Sequence, residues 1–391
     1  MTNELLLNSF IWTAAVEKSL HGSSEVDTSV MVRCQNNAVK SVREHIERGD
    51  AFDEVIFAVL CLTIADTEPK PGWEVHAEEG FGGFDPPLRS LGWLNYLSQF
   101  RWTHLHIKAL QALVERRGGL SQVSTPGVAD QVQCTDIIQA SMLLTRPNFE
   151  LGVLYRHVLE HQVKVIRPPR SRANQFQVSD NFKDLLLDMR TYCRLLKQSY
   201  KDVQAALSSW EMNVQRNLIQ YRLLSLPRGD DEICRLIALI FSCGVIFPVA
   251  RKRPLKILVK QLVAELERNS DPPSEFLLWV TAVGGVAAAG SYHEGFFVQK
   301  LKLLAPALCV LEFRDMRDIM HKYLWLNQAC DRGASSLWDR AVSACEEGSD
   351  AKGGCDQIIQ REKDEILAFE AATLRNSFEV IRLSTPLLTC S

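Results

Sequence analysis

No C-x-x-C pair occurs anywhere in the chain, and its 11 cysteines stand singly. That absence argues against a zinc ribbon, a zinc finger or a thioredoxin-type site within these residues. An odd number of cysteines set in apolar stretches (Cys61 in FAVLCLTIA, Cys243 in LIFSCGVIF, Cys309 in PALCVLEF) points instead to reduced, buried thiols in a cytosolic or nuclear protein. Charge of one sign is missing as well. With Lys and Arg at 44 and Asp and Glu at 47, the net charge is −3, so no overall basic field holds a phosphate backbone and any nucleic-acid contact has to be local. Long apolar runs are absent. Residues 236–250 and 276–292 are too short, or too rich in Gly, Ala, Ser and Pro, for a membrane span of about 20 apolar residues. They read as buried core helices. The N-terminal MTNELLLNSFIWTAAVEK carries Glu4 where a secretory signal needs positive charge, and it too reads as a helix of the fold.

Three further absences concern architecture and chemistry. No run of alternating apolar and polar residues is long enough for a strand, and no repeat of fixed period supports a solenoid. There is no G-x-S-x-G elbow, no P-loop, no G-x-G-x-x-G after a strand and no kinase loop. The carboxylates are too evenly spread to nominate an acid/base pair, so the expectation is a non-enzyme with no cofactor.

What remains is helical periodicity. The stretch HLHIKALQALVERRGG, from His104 to Gly119, is the clearest: Ile107, Leu110, Leu113 and Val114 form an apolar stripe, Arg116 and Arg117 suit the negative end of the helix, and Gly118 or Gly119 can take the left-handed conformation that closes it. Leu120 is then placed to fold back as an apolar contact. Further helices are expected over about 29–48, from 51 to 66, from Ser124 or Thr125 as cap with Pro126 in the first turn to Pro147, from 179, and then over about 204–224, 231–247, 255–268, 274–289, 296–304 and 312–329. Gly284 and Gly285, inside SEFLLWVTAVGGVAAAG, cost helix propensity and so predict close approach of a neighbouring helix. The architecture predicted is all-α: one large domain of antiparallel packed helices over 1–330, with a loop insertion at about 67–97, a basic linker at about 164–178, and a loosely packed helical tail over 331–391.

Candidate chemistry is sparse. His157, Glu160 and His161 form an H-x-x-E-H string, in which two histidines four apart share a helix face and chelate zinc while the glutamate acts as general base. No third ligand is identifiable, so the string reads as a polar helix edge and no metal site is assigned; a zinc-dependent hydrolase remains the rival from another class. His104 and His106, two apart, point about 200° away from each other on a helix and cannot share a metal. Arg251, Lys252, Arg253 and Lys256 read as a solvated helix start, with nuclear import as the alternative. The arginines of the linker lack the interleaved aromatics of a single-strand binding surface.

The segment HLHIKALQALVERRGGL followed by DQVQCTDIIQASMLLTRPNF resembles the middle region of fungal-specific transcription-factor regulatory domains. There a helix of the pattern H-x-x-G-L-x-x-L-V-x-x-R-G-G-L precedes one ending near R-P-x-F. FLLWVTAVGGVAAAGSYHEGFFVQKL resembles the late segment of that family, and KYLWLNQACD its closing L-W element. The residues carrying the likeness are His104, Leu110, Arg117, Gly118, Gly119, Leu120, Pro147, Trp279, Gly284, Gly285 and Trp325. Ala109 departs from the pattern, where a glycine is common. The binuclear zinc cluster of six closely spaced cysteines is also missing, since Cys34 and Cys61 offer nothing of the kind. The resemblance therefore implies a regulatory or interaction domain in the nucleus, with the cytoplasm as the alternative. It would work through protein partners or a small-molecule effector, with no membrane and with DNA reached only indirectly or through an upstream segment. A helical scaffold with no transcriptional role is the other expectation.

Overall fold

Where the sequence withholds charge, the chain builds its centre. The structure is a computed structural model that describes residues 4–20, 28–50, 52–64, 81–98, 104–162, 178–199, 209–229, 231–250, 252–268 and 272–343. Among them every regular element is helical: α1 (Glu4–Leu20), α2 (Thr28–Arg48), α3 (Phe52–Ile64), the short α4 (Leu94–Leu97), α5 (His104–Arg117), α6 (Val128–Leu143), α7 (Val153–His157), α8 (Asp180–Ser199), α9 (Ser209–Ser225), α10 (Glu232–Phe241), α11 (Lys252–Arg268), α12 (Glu275–Ala287), α13 (Glu294–Ala307), α14 (Phe313–Met320) and α15 (Asn327–Ser343). The expected all-α class is what the structure has.

Helix α12 is the hub. After Glu275 it carries no charge, and every residue from Leu277 to Ala287 is buried. Such a helix is stable only where neighbours cover it all round. The Ser274 hydroxyl opens it by accepting from the Leu277 amide at 3.2 Å. The two glycines act as the sequence suggested. A Cβ on Gly284 would lie 2.4 Å from the Phe297 ring of α13, and one on Gly285 would lie 2.4 Å from a methyl of Leu337 on α15. Their absence of side chain lets three helices meet at less than ordinary spacing.

The N-terminal sector is built differently. Helices α1, α2, α3 and α5 pack on one another around two small clusters, one of Leu5, Val55, Ile56, Leu60, Leu113 and Val114 with their neighbours, the other of Trp12, Met31, Cys34, Ala38 and Leu62. Helix α3 is charged only in its first turn, so it can be sheathed on most sides. Helix α6 joins this sector to the main core. Val128 and Val132 at its start belong to the first cluster, whereas Ile137, Ile138, Ala140 and Met142 belong to the large core around α12.

Several expectations change. The insertion expected over about 67–97 contributes to the core at its C-terminal end: residues 65–80 lie outside the described residues, but Phe81 and Phe84 are buried. The Gly83 amide donates to the Val286 carbonyl at 2.7 Å and the Asp85 amide to that of Ala329 at 2.8 Å. Phe84 lies against Gly244, where a Cβ would come within 2.3 Å of its ring, and a Cβ on Gly333 would lie 2.4 Å from the Gly83 carbonyl oxygen. Glycines that look like loop punctuation are thus points of backbone contact. The helix expected over 312–329 is two helices, α14 and α15, separated by residues 321–326, where side chains take the carbonyls of Lys322, Tyr323 and Leu324. The boundary expected at 330 falls inside α15, whose Ala334, Leu337 and Ala341 are in the main core. Residues 344–391 and 163–177 lie outside the described residues.

Candidate functional site

Helix α5 ends on the expected signal. Gly118 and Gly119 have φ of 92° and 97°, the Gly119 amide donates to the Val114 carbonyl at 2.9 Å, and Leu120 turns back into the core. The side chain of His104 lies outside the described residues, as does that of His106; Leu110 is buried. Arg117, which sequence assigned to the family pattern, has a partner the sequence did not suggest. Its Nε donates to Asp53 Oδ1 at 2.8 Å, while Asp53 Oδ2 accepts from the Ser124 amide at 2.7 Å and the Thr125 amide at 2.9 Å, and from both hydroxyls. Ser124 and Thr125 therefore do not cap α6; Gly127 stands at that place, with φ 80°. Burial alone would raise the Asp53 carboxyl, but the donors from Arg117, Ser124 and Thr125 outweigh it and hold the group well below the usual carboxylate range. This is a structural clamp. Arg117 works here as a positioning group.

The exit of α6 has a counterpart. Asp136 accepts from the Asn148 amide at 2.8 Å, the Asn148 side chain at 2.7 Å and the Phe149 amide at 3.0 Å. These bonds fix the turn that follows Pro147, itself buried. With no cation paired to it, burial prevails and the Asp136 carboxyl is pushed up.

The H-x-x-E-H string is not on one regular helix. The α-helix stops at His157, and Val158–Gln162 continue as a π turn. His157 and Glu160 are exposed, the His161 side chain lies outside the described residues, and the buried member of the string is Val158, packed on Tyr155, Val214 and Leu218. Among the described residues no group of three or more His, Cys, Asp or Glu side chains is placed to hold a metal ion.

A buried polar seam runs between α6, α7 and α9. Asn217 donates to Tyr155 Oη at 3.1 Å and to Cys134 Sγ at 3.4 Å, Gln220 donates to Ser141 Oγ at 3.0 Å, and Ser242 donates to Gln220 at 2.7 Å. Arg216 is buried here with neutral partners, the Leu91 carbonyl and Asn213 Oδ1, and with its guanidinium over the Phe247 ring. Burial pushes the thiol of Cys134 and the phenol of Tyr155 up, so neither supplies a nucleophile or base near neutral pH. The seam ties α9 to α6, α7 and Ser242.

One open cleft has a chemical character. It is about 200 Å³ in volume and lies between α8 and residues 321–327. Arg190, Cys193, Arg194 and Lys197 line one wall at positions i, i+3, i+4 and i+7 of α8, one face of a helix. The opposite wall is held from three directions. Arg190 Nη2 donates to the carbonyls of Lys322 and, at 2.8 Å, of Tyr323. Trp279 Nε1 donates to the Leu324 carbonyl at 2.9 Å, and its ring stacks on Tyr323 with centroids 5.3 Å apart. Trp325 Nε1 and Asn327 Nδ2 both donate to Asp331, at 2.8 and 3.0 Å. Trp279 and Trp325, singled out in the sequence for family likeness, are thus the posts of this wall. Burial lowers the His321 imidazole; Asp331 works against that, while Lys197 and Arg317 add to it. The Cys193 thiol is pushed up to about 12 by burial despite Arg190, so it offers no reactive thiolate.

The chain matches no family model, no curated protein and no solved structure. No helix among the described residues is long and apolar enough to cross a membrane.

The cleft was missed in the sequence because its walls come from segments more than a hundred positions apart. The only local signal was the spacing of Arg190, Arg194 and Lys197, which reads equally well as an exposed helix face. Of the residues that carry the family likeness, Trp325 alone lines it.

Proposed function

We propose that this chain is a helical regulatory or interaction domain of the fungal transcription-factor type, acting in the nucleus through protein partners or an effector, with no catalysis of its own. The observation that carries the reading is the pair of RGGL and VGGVAAA patches. In support, each patch serves a packing joint: Arg117 and the two glycines set how α5 gives way to α6, and Gly284 and Gly285 set how α12 meets α13 and α15. Residues shared with a regulatory family for architectural reasons are expected at such joints. Tagged protein expressed in a fungal cell is expected to accumulate in nuclei and to be recovered with chromatin. Exclusion from nuclei together with absence from chromatin would overturn the assignment and leave a scaffold.

A further inference from the structure

We propose that the cleft between α8 and residues 321–327 binds a small organic anion, a carboxylate or phosphate monoester with a short apolar body. Arg194 and Lys197 project on the same face of α8 and, among the described residues, neither has a carboxylate partner. Two neighbouring acidic groups are committed elsewhere: Asp188 pairs with Arg222, and Asp331 is occupied by Trp325, Asn327 and Arg317; a third, Asp318, acts on His321. Two cations are therefore left facing a concave, partly apolar space, an arrangement that costs self-repulsion unless an anion is shared between them. Arg190 is the third cation, but it is spent on the carbonyls of Lys322 and Tyr323, so it braces the wall while adding its charge to the field.

Shape narrows the class. About 200 Å³ is below the range of roughly 300–1,000 Å³ typical of drug-sized ligands, so the occupant is a metabolite-sized molecule. Leu324, Leu326 and the edge of Trp325 contribute an apolar floor, which suits a short carbon skeleton behind the charged head. A nucleic-acid backbone needs an extended track of phosphate contacts, and the notch supplies one point of purchase. Because residues 321–327 are pinned by side chains from α8, α12 and α15, the wall is already in place before ligand arrives, and little ordering has to accompany binding.

The cleft's role as an effector site rests on the regulatory reading above, whereas binding itself does not. Exclusion from nuclei removes the role and leaves the site; failure to bind removes the site and leaves regulation through protein partners.

The experiment uses the full chain with inorganic phosphate and succinate as probes, sodium chloride at matched ionic strength as control, and the double variant Arg194→Ala/Lys197→Ala. Both side chains are exposed, so the variant is expected to melt with the wild type in the absence of probe. Calorimetric titration of wild type is expected to saturate with at least one probe, and the double variant to bind at least tenfold more weakly. Saturation by phosphate alone assigns a phosphate monoester, and by succinate alone a carboxylate. The His321 ring proton resonances give an independent reading. Burial, Lys197 and Arg317 lower this imidazole while Asp331 and Asp318 raise it, so a bound anion raises its titration midpoint. No saturable binding of either probe, an equal effect of sodium chloride, or unchanged affinity in the double variant would each overturn the proposal.

Discussion

The N-terminal sector and the body around α12 are held together by different physics. In the first, the joint between α3, α5 and the entry to α6 depends on one carboxylate: Asp53 gathers Arg117, Ser124 and Thr125, and the apolar clusters beside it are small. In the second, the central helix α12 carries no charge after Glu275. Gly284, Gly285 and Gly333 let backbones and large side chains close to distances that any Cβ would forbid. A joint made by charge responds to pH and to the loss of a partner; a joint made by missing atoms responds to added volume.

The sharpest way to break the contrast is at Gly333. Alanine there gains helix propensity, by about 1 kcal/mol, yet its Cβ would meet the Gly83 carbonyl oxygen at 2.4 Å and a methyl of buried Val286 at 2.9 Å. A net loss of about 3 kcal/mol is expected, and urea unfolding should show it undiminished from pH 4 to pH 8. A variant as stable as wild type would remove close packing as the explanation of the glycines. Next comes Asp53→Ala, with an expected loss of about 2 kcal/mol at neutral pH from unpaired donors, moderated because Arg117 can rehydrate.

The same aspartate gives the pH signature. Its folded pKa lies below the unfolded value, so its contribution is complete above about pH 4, the unfolded range, and fades as pH falls further. Asp136 has the opposite sign: its raised folded pKa means that its contribution is greatest at acid pH and declines as pH rises through that value. Stability measured against pH should therefore fall less steeply toward acid in Asp53→Asn than in wild type, and more steeply in Asp136→Asn. Parallel curves for all three proteins would show that neither carboxylate is coupled to folding. The smallest effect is expected at Gly119, where φ is +97° but no atom lies within 4 Å of a built Cβ. Alanine there should cost about 1 kcal/mol from backbone conformation alone. A loss as large as that at Gly333 would mean that the two kinds of glycine are not distinct.

Much of the fold was legible in local pattern. The stripe of Ile107, Leu110, Leu113 and Val114, the twin-glycine stop, the uncharged run of α12 and the close approach at Gly284 and Gly285 all follow from periodicity and propensity. What was not legible depends on partners far along the chain. Residues 81–84 have the composition of a loop, and only the presence of Val286, Ala329 and Gly333 seats Phe81 and Phe84 in the core. Residues 323–326 continue an apolar stripe and so read as helix. The carbonyls of Tyr323 and Leu324 instead serve Arg190 and Trp279, which no local rule anticipates. Ser124 and Thr125 have the chemistry of helix caps, but Asp53 of α3 claims their amides and hydroxyls first. The cleft belongs to the same class: its cations are visible in the sequence, its concavity is not.

The contact between Gly83 and Val286 also bears on how the chain reaches its final state. It joins positions about two hundred residues apart, and a loop of that length is closed only after nearer contacts have formed. The segment bearing Phe81 and Phe84 is therefore a late arrival that seals a largely assembled body. Synthesis delivers it early, so the nascent chain carries two exposed phenylalanines until α12 and α15 have emerged. That interval is when the protein is most open to capture by a chaperone.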